Sequence, residues 1–516
     1  MSFFKATATI SCLTLTSRVF GFIRDVVLAR LLGASAVADA FFVAIRLPNM
    51  LRQLFAEGAF NVAFVPYLNK KIATDGQPQA EKFAAIVFVW LMLLVSGLTA
   101  LGVFFMKPVV LLIAPGFAHD PETLGLATLL ARITFPYLIF IVATSFMGGI
   151  LNTLGRFAAF AATPILLNLA LIACLLLHPT GTPAITAAFG FILGGALQLV
   201  FIAVALKRSG FQLKLTPPQQ HPDLKPLALK IAPTFVGVGA QQISTFLTTV
   251  LASLLMPGSI SYLFYADRLS QLPLALIGIA MATALLPTLN QAFREHTQKA
   301  QRLLGQGMSV ALALGLAAGV GLALLAYEVI TVLFVRGAFD ALDAERTSLA
   351  LMAYAIGLPA YTLTKITSSA FYANHNTATP VKTALASIAI SIGLMLILMD
   401  YYGHVGLAIA ASVAGWCQLL LQLVLLQRHK IIDANFWRIF MPYGVKAVLV
   451  TAFMGLLLGM IKFYIPFPDG FWLQLVWLVL VVGIGGFFWL GLAVMARLHK
   501  PFLTFAASPN KSPQKQ

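Results

Sequence analysis

Residues 18–57 read RVFGFIRDVVLARLLGASAVADAFFVAIRLPNMLRQLFAE. Arg18, Arg24, Asp25, Arg30, Asp39, Arg46, Arg52 and Glu57 stand here in sequence otherwise apolar enough to lie in a bilayer. An ionised side chain at the centre of a membrane helix costs roughly 2.5–3.5 kcal/mol on insertion scales, so these groups cannot all face lipid. They must line something wet. The stretch therefore announces a polar, mainly cationic space inside a membrane, and the question becomes which anion it holds.

The rest of the chain fits that setting. Of 516 residues, 60% are hydrophobic and 10% charged, with a mean hydropathy of +0.91; soluble domains carry about 25% charged residues. Apolar runs of about 20 residues, the length that crosses about 30 Å of hydrocarbon, recur from end to end and leave no soluble domain over. The expected fold is an all-α polytopic membrane protein of about fourteen spans, near 9–32, 37–69, 83–106, 124–150, 159–177, 184–206, 227–255, 260–290, 304–326, 344–371, 381–399, 404–427, 439–461 and 472–496. Pro48, Pro233, Pro273 and Pro359 fall in the longest of these and predict bends. Lys5 precedes the first apolar run as in a secretion signal, but Arg18 and Arg24 interrupt that run and no cleavage site follows. It reads as a retained first span.

Basic residues alternate between loops. Lys70, Lys71, Lys82, Arg156, Lys207, Arg208, Lys214, Lys225, Arg294, Lys299, Arg302, Lys382, Arg428, Lys430 and Arg438 fall in one set, together with the C-terminal tail; the other set holds little beyond Lys107, Arg336, Arg346 and Lys462. By the positive-inside rule the first set is cytoplasmic and both termini are inside, as an even span count also requires. The formal charge of +17 is thus expected to set topology and touch anionic lipid, and no nucleic-acid partner is expected. Cys12, Cys174 and Cys417 lie far apart in separate spans, which makes neither a disulfide framework nor a metal site.

Internal repetition is visible. Residues 59–69 and 280–290 share Ala59/Ala280, Ala63/Ala284, Pro66/Pro287, Leu68/Leu289 and Asn69/Asn290, and Pro136 and Asn152 match Pro359 and Asn374 at nearly the same offset. Six spans separate the copies, and an even separation preserves orientation, so two six-helix lobes are expected as parallel repeats around a central cavity. The lobes would be 1–206 and 227–427, joined by a Pro-, Gln- and Lys-rich cytoplasmic connector at 207–226. Two added spans occupy 428–497, followed by a cytoplasmic tail at 498–516.

Intramembrane charge recurs at Asp267-Arg268 in span eight, with Arg132 and Lys365 as further internal cations. Arginine suits a phosphate because its planar fork gives two parallel hydrogen bonds and stays charged when desolvated. Asp25, Asp39, Glu57 and Asp267 would hold these arginines between substrates; the alternative is that the same groups are ion pairs fixing helix packing. Arg30 and Arg46, near a helix end and a proline, read as snorkelling. Polar Gln241, Gln242, Ser244 and Thr245, with Asn374 and Asn376, would line the second lobe, bind a coupling cation or bond between helices. The eight histidines lack metal-ligand spacing, no paired carboxylates form a short intramembrane motif, and no G-x-x-x-x-G-K-[ST] loop occurs, so no enzyme and no resident cofactor is expected. Energy must come from a coupling cation, the membrane potential or removal of product.

Ser17-Arg18-Val-Phe-Gly21-Phe-Ile-Arg24-Asp25, Ala38-Asp39, Leu47-Pro48-Asn49-Met-Leu-Arg52, Phe55-Ala56-Glu57-Gly58-Ala59-Phe60, Tyr265-Ala-Asp267-Arg268-Leu, Phe371-Tyr372 and Thr379-Pro380-Val-Lys382 closely resemble the MurJ (MviN) family of lipid II flippases, within the multidrug/oligosaccharidyl-lipid/polysaccharide exporter superfamily. The resemblance covers essentially the whole chain. It implies two six-helix lobes alternating between inward-open and outward-open states, and a lipid-tail groove formed by the last two spans. It carries substrate-binding roles to Arg18, Arg24, Arg52 and Arg268, and cavity or gating roles to Asp39 and Lys365. One departure is Gln271, where some members carry Glu after the span-eight arginine.

The function so implied is translocation of lipid II, an undecaprenyl-pyrophosphate-linked peptidoglycan precursor, across the bacterial plasma membrane. Arg24, Arg52 and Arg268 would contact pyrophosphate, with Arg18, Asp25, Asp39, Glu57, Asp267, Gln271 and Lys365 shaping the cavity. Membrane lipids and peptidoglycan-synthesis proteins are the further partners such a role would call for. A cation-coupled multidrug exporter on the same fold would need an acidic cavity, and a membrane enzyme acting on lipid phosphates would need clustered Asp or His; neither pattern occurs. A flippase for another polyprenyl-linked glycan remains the alternative.

Overall fold

The computed structural model describes residues 3–53, 59–177, 181–214 and 216–500, with side-chain environments for all of these except 3–8, 59–62 and 232–241. Among them the chain is helical throughout, with one isolated bridge between Arg336 and Phe339 and no strand. The helices are α1 (Phe3–Leu32), α2 (Ala36–Arg52), α3 (Ala59–Asp75), α4 (Gln77–Phe104), α5 (Met106–Ile113), α6 (Pro121–Thr134), α7 (Tyr137–Thr153), α8 (Phe157–Leu177), α9 (Pro183–Arg208), α10 (Leu224–Ser253), α11 (Ser259–Pro273), α12 (Ala280–Glu295), α13 (Thr297–Leu324), α14 (Ala326–Phe334), α15 (Ala341–Ala373), α16 (Ala378–Arg428), α17 (Ala434–Tyr464) and α18 (Phe471–Met495).

Local sequence sets the punctuation. Ser35 caps α2, Asp120 caps α6 through the Glu122 and Thr123 amides, Asp340 and Asp343 form a reciprocal box at α15, and Asp433 caps α17. Pro273 ends α11 and is followed by a π-helical segment, Leu274–Ile279, as expected of a bend there, whereas α15 runs unbroken through Pro359. α16 combines two expected spans across a kink at Gly403, whose φ of 54° and ψ of −133° suit only glycine. Pro136 stands between α6 and α7, so the expected fourth span is two helices in succession.

Ten helices among the described residues are long and apolar enough to cross a membrane, α6 with α7 and α11 with α12 each counting as one. The fourteen expected spans are consistent with these, with α16 serving twice, together with α1, the α2 and α3 pair, and α10. Leu94, Phe104, Leu177, Phe463, Phe487 and Met495 are exposed on the outside, where only lipid would cover them without cost. The chain is a multi-pass membrane protein.

Contacts divide it into two compact units, one of Met1–Ser261 with Arg336–Phe339, the other of Tyr262–Val335 with residues from Asp340 onward. In the first, α1 lies on α8, α8 on α9, α2 on α6, and α3 on α4, α7 and α10. Phe64, Phe83, Phe88, Phe146 and Phe211 fill one core there. In the second, α15 packs on α16 and α13, and α13 on α17, around Leu304, Ile366, Phe371 and Phe436. α17 and α18 close a separate cluster on Val450, Met454, Trp477 and Trp489, with Trp489 Nε1 donating to Thr451 Oγ1 at 3.2 Å. The contact division places α10 with α3, beyond the repeat-based limit at 206. The connector is packed down as well: Phe211 is buried, the Gln212 amide donates to Glu81 at 3.0 Å, and Trp90 donates to the Gln219 carbonyl at 2.9 Å. The repeated segments both lie within helices, 59–69 in α3 and 280–290 in α12.

Candidate functional site

On α1, Arg24 turns back on its neighbour. Its Nε and Nη2 donate to Asp25 Oδ1 at 3.0 and 2.6 Å, and its Nη1 donates to Asn168 Oδ1 of α8 at 3.0 Å. The Asn168 amide in turn donates to the Ser17 carbonyl at 3.2 Å, tying α8 to α1 about two turns earlier. Asp25 is buried to 4% side-chain exposure and Arg24 to 15%, so Asp25 is an ion-pair partner, one of the two roles open to it from sequence. A guanidinium has five N–H groups, and three are engaged here. Arg18 is exposed on the same helix, and Arg52 is half-buried in the last turn of α2.

Asp39 is buried and fully engaged. Its carboxylate accepts from the Gly258 amide at 2.7 Å, the Ser261 amide at 2.8 Å and the Ser261 hydroxyl at 2.6 Å. The first-turn amides of α11 have no partner within their own helix, and a carboxylate is the acceptor best suited to that positive end. Asp39 thus caps a helix more than two hundred residues away in sequence. Seven residues on, Arg46 donates through Nε and Nη2 to Thr249 Oγ1 at 2.9 and 2.7 Å. This corrects the snorkelling expectation: the side chain reaches across to α10 and is half-buried. Seven further, Gln53 accepts from Gln242. Asp39, Arg46 and Gln53 share one face at heptad spacing, and Thr249 and Gln242 are likewise seven apart, running the opposite way. The seam continues along α3, where Lys71 pairs with Asp223 at 2.6 Å and Lys230 lies 5.6 Å over the Tyr67 ring. Polar side chains therefore cross between these helical runs inside one unit, beside an apolar core that includes Phe64 and Leu68 of α3 and Leu227 of α10.

The second unit carries the other cations. On α11, Gln271 donates to Asp267 Oδ2 one turn away, and Arg268 stacks over Phe264 with its guanidinium carbon 5.0 Å from the ring centre. A glutamate at 271 would face Asp267 as a like charge; the amide bonds to it instead. Lys365 on α15 is exposed, and its carbonyl accepts from the Ser369 hydroxyl at 3.0 Å. Asn374 and Asn376 serve local ends, donating to the Ala370 carbonyl at 2.9 Å and accepting from the Thr379 amide at 3.0 Å. Gln241 has no described side-chain environment, and Glu57 lies outside the described residues. Arg18, Arg24, Asp25, Asp39 and Arg52 belong to the first unit, and Asp267, Arg268, Gln271 and Lys365 to the second.

Sequence reasoning missed the neutral partners Asn168, Thr249, Ser261 and Gln422. Gln422 is buried and bonds to Thr367, to Ser368 at 3.2 Å and to Thr383 at 3.0 Å, joining α15 to both halves of α16. A lone amide in an apolar span was the available signal, because a side chain with two donors and an acceptor in hydrocarbon must find partners.

Residues 28–477 match the family described as "Lipid II flippase MurJ". A "Probable lipid II flippase MurJ" of Rickettsia prowazekii is 35% identical over 468 residues, 90% of this chain and 91% of the relative. A "Lipid II flippase MurJ" of Burkholderia cenocepacia is 34% identical over 88% of this chain and 89% of its own. A solved structure of "Lipid II flippase MurJ, inward closed conformation" superposes with a TM-score of 0.78 at 28% identity, covering 95% of this chain and 98% of that one. An inward-facing multidrug transporter of the MATE family, at TM-score 0.67 and 17% identity over 82% of this chain, shares the fold. With matched residues running from α1 into α18, and relatives alike over nearly their full length, the chain belongs to the MurJ family of lipid II flippases.

Proposed function

We propose that this chain moves lipid II, the undecaprenyl-pyrophosphate-linked peptidoglycan precursor, from the cytoplasmic to the outer leaflet of the bacterial plasma membrane by alternating access. Family membership over 28–477 carries the reading. The head group is polar and anionic, and crossing hydrocarbon unaided would strip it of water. Arg18, Arg24, Arg52 and Arg268 offset that loss at the pyrophosphate, while Asp25, Asp39, Glu57, Asp267, Gln271 and Lys365 hold the cavity and its closures. Lobes at 1–206 and 227–427 move about the connector 207–226, the polyprenyl tail follows spans thirteen and fourteen within 428–497, and both termini lie in the cytoplasm. A coupling cation or the membrane potential drives the cycle, no covalent step occurs, and peptidoglycan-synthesis proteins are the expected neighbours.

The hydrogen bonds of Arg46 and Gln53 to α10 support a moving interface at that end of the seam. Hydrogen bonds can be exchanged for water when a cleft opens, whereas an apolar seam would lose its burial. The test is purified protein in liposomes with labelled lipid II and a second polyprenyl-linked glycan, with and without a membrane potential. Selective movement of lipid II is expected, and equal movement of both substrates would overturn the assignment.

A further inference from the structure

Away from those charged groups, the first unit holds a second cationic feature. A cavity of about 480 Å³ is walled by Leu151, Phe157, Ala159, Phe201, Val204 and Ala205, with Arg156 and Arg208 also lining it. Its walls come from Thr9 of α1, the end of α7, the start of α8 and the end of α9. Gly155, in the left-handed region at φ 72°, turns the chain out of α7, and the Arg156 amide donates back to the Leu151 carbonyl at 2.8 Å. The Arg156 guanidinium is then held across the opening by a 3.2 Å bond from Nη1 to the Arg208 carbonyl at the end of α9. Two arginines thus share one cavity, Lys207 adjoins them, and no carboxylate lines it. Both guanidiniums are exposed, and an anion seated between them would gain a charged hydrogen bond from each. All three belong to the basic set of loops, at the level of lipid head groups.

We infer that this cavity binds an anionic glycerophospholipid, its phosphate between Arg156 and Arg208 and an acyl chain against Phe157, Phe201 and Val204. An apolar wall with basic residues at its edge matches both halves of such a lipid, and a zwitterionic lipid lacks the net charge to favour it. Neither residue is among the groups assigned to lipid II.

The test uses the purified full-length chain in neutral detergent, offered equimolar phosphatidylglycerol and phosphatidylcholine of identical acyl chains, with retention read by native mass spectrometry. Wild type is expected to retain phosphatidylglycerol about tenfold over phosphatidylcholine, a ratio corresponding to one good charged contact. The double variant R156Q/R208Q should lose that preference, and Arg428→Gln, outside the cavity, should keep it. Ala205→Phe fills the cavity with both charges intact and should lower phosphatidylglycerol retention, which separates lipid binding from bare charge attraction. Equal retention of the two lipids by wild type, an unchanged preference in R156Q/R208Q, or displacement by millimolar inorganic phosphate alone would overturn the proposal, the last by marking a simple phosphate site.

Discussion

Asp39 and Arg24 show how much single side chains decide here. Asp39 supplies three bonds to the start of α11, and removing a partner from buried amides costs about 1–3 kcal/mol for each donor left unsatisfied. Asp39→Ala should therefore fail to support growth of a flippase-depleted strain and should lower the melting temperature of the purified protein. Asp39→Asn, which keeps one acceptor oxygen, should fall between it and wild type. Arg24 is bound on two sides at once, by a carboxylate and by the Asn168 amide. Lysine has the charge without the fork. Arg24→Lys is expected to lose activity in a liposome flipping assay while the protein still folds; full activity in that variant would show that charge alone suffices.

At the scale of elements, helices that break where a carbonyl or amide must be re-satisfied carry identifiable causes. Gly403 adopts a backbone conformation closed to other residues, yet a Cβ there would meet nothing within 4 Å. The cost of Gly403→Ala is then conformational, ~1–3 kcal/mol, and not steric. Thermal unfolding should show that loss, and an unchanged melting temperature would mean that the kink relaxes into a straight helix. Gln422 is the element-level pin between α15 and α16, and Gln422→Leu should destabilise by a similar ~1–3 kcal/mol, because Thr367, Ser368 and Thr383 lose a shared partner.

For the molecule as a whole, the seam between α2, α3 and α10 is where motion is expected. Lys71 and Asp223 hold its far end at 2.6 Å. Tethering Cys substitutions at Lys71 and Asp223 with a short bifunctional thiol reagent should stop lipid II movement and restore it on reduction; movement unaffected by the tether would remove this contact from the gate. Lys71 holds the Asp223 carboxyl below the usual carboxylate range, chiefly through their hydrogen bond. A lowered folded-state value means that the pair stabilises fully above the unfolded pKa of about 4 and loses that contribution as pH falls through the folded value. The melting-temperature difference between wild type and Asp223→Asn should thus stay flat from pH 7 to pH 5 and shrink in more acid solution. Its size is small, ~0.2–1 kcal/mol, since water reaches both groups.

Composition and spacing alone determined that the chain crosses a membrane many times, that cations concentrate in its first two spans, and that two segments of the chain repeat. Hydropathy is a sum over neighbours in sequence, and insertion costs depend on that sum whatever the helices later touch. The family was legible in the same way, from motifs such as Ser17-Arg18 and Ala38-Asp39. Which charges are held, and by what, was left to the tertiary structure. Asp39 finds Gly258 and Ser261, Arg46 finds Thr249, and Arg24 adds Asn168 to its neighbour Asp25; the added partners are neutral groups remote in sequence. A buried ion accepts any correctly aimed hydrogen-bonding group, so beyond an adjacent charge pair such as Arg24–Asp25 its partners are set by how helices pack.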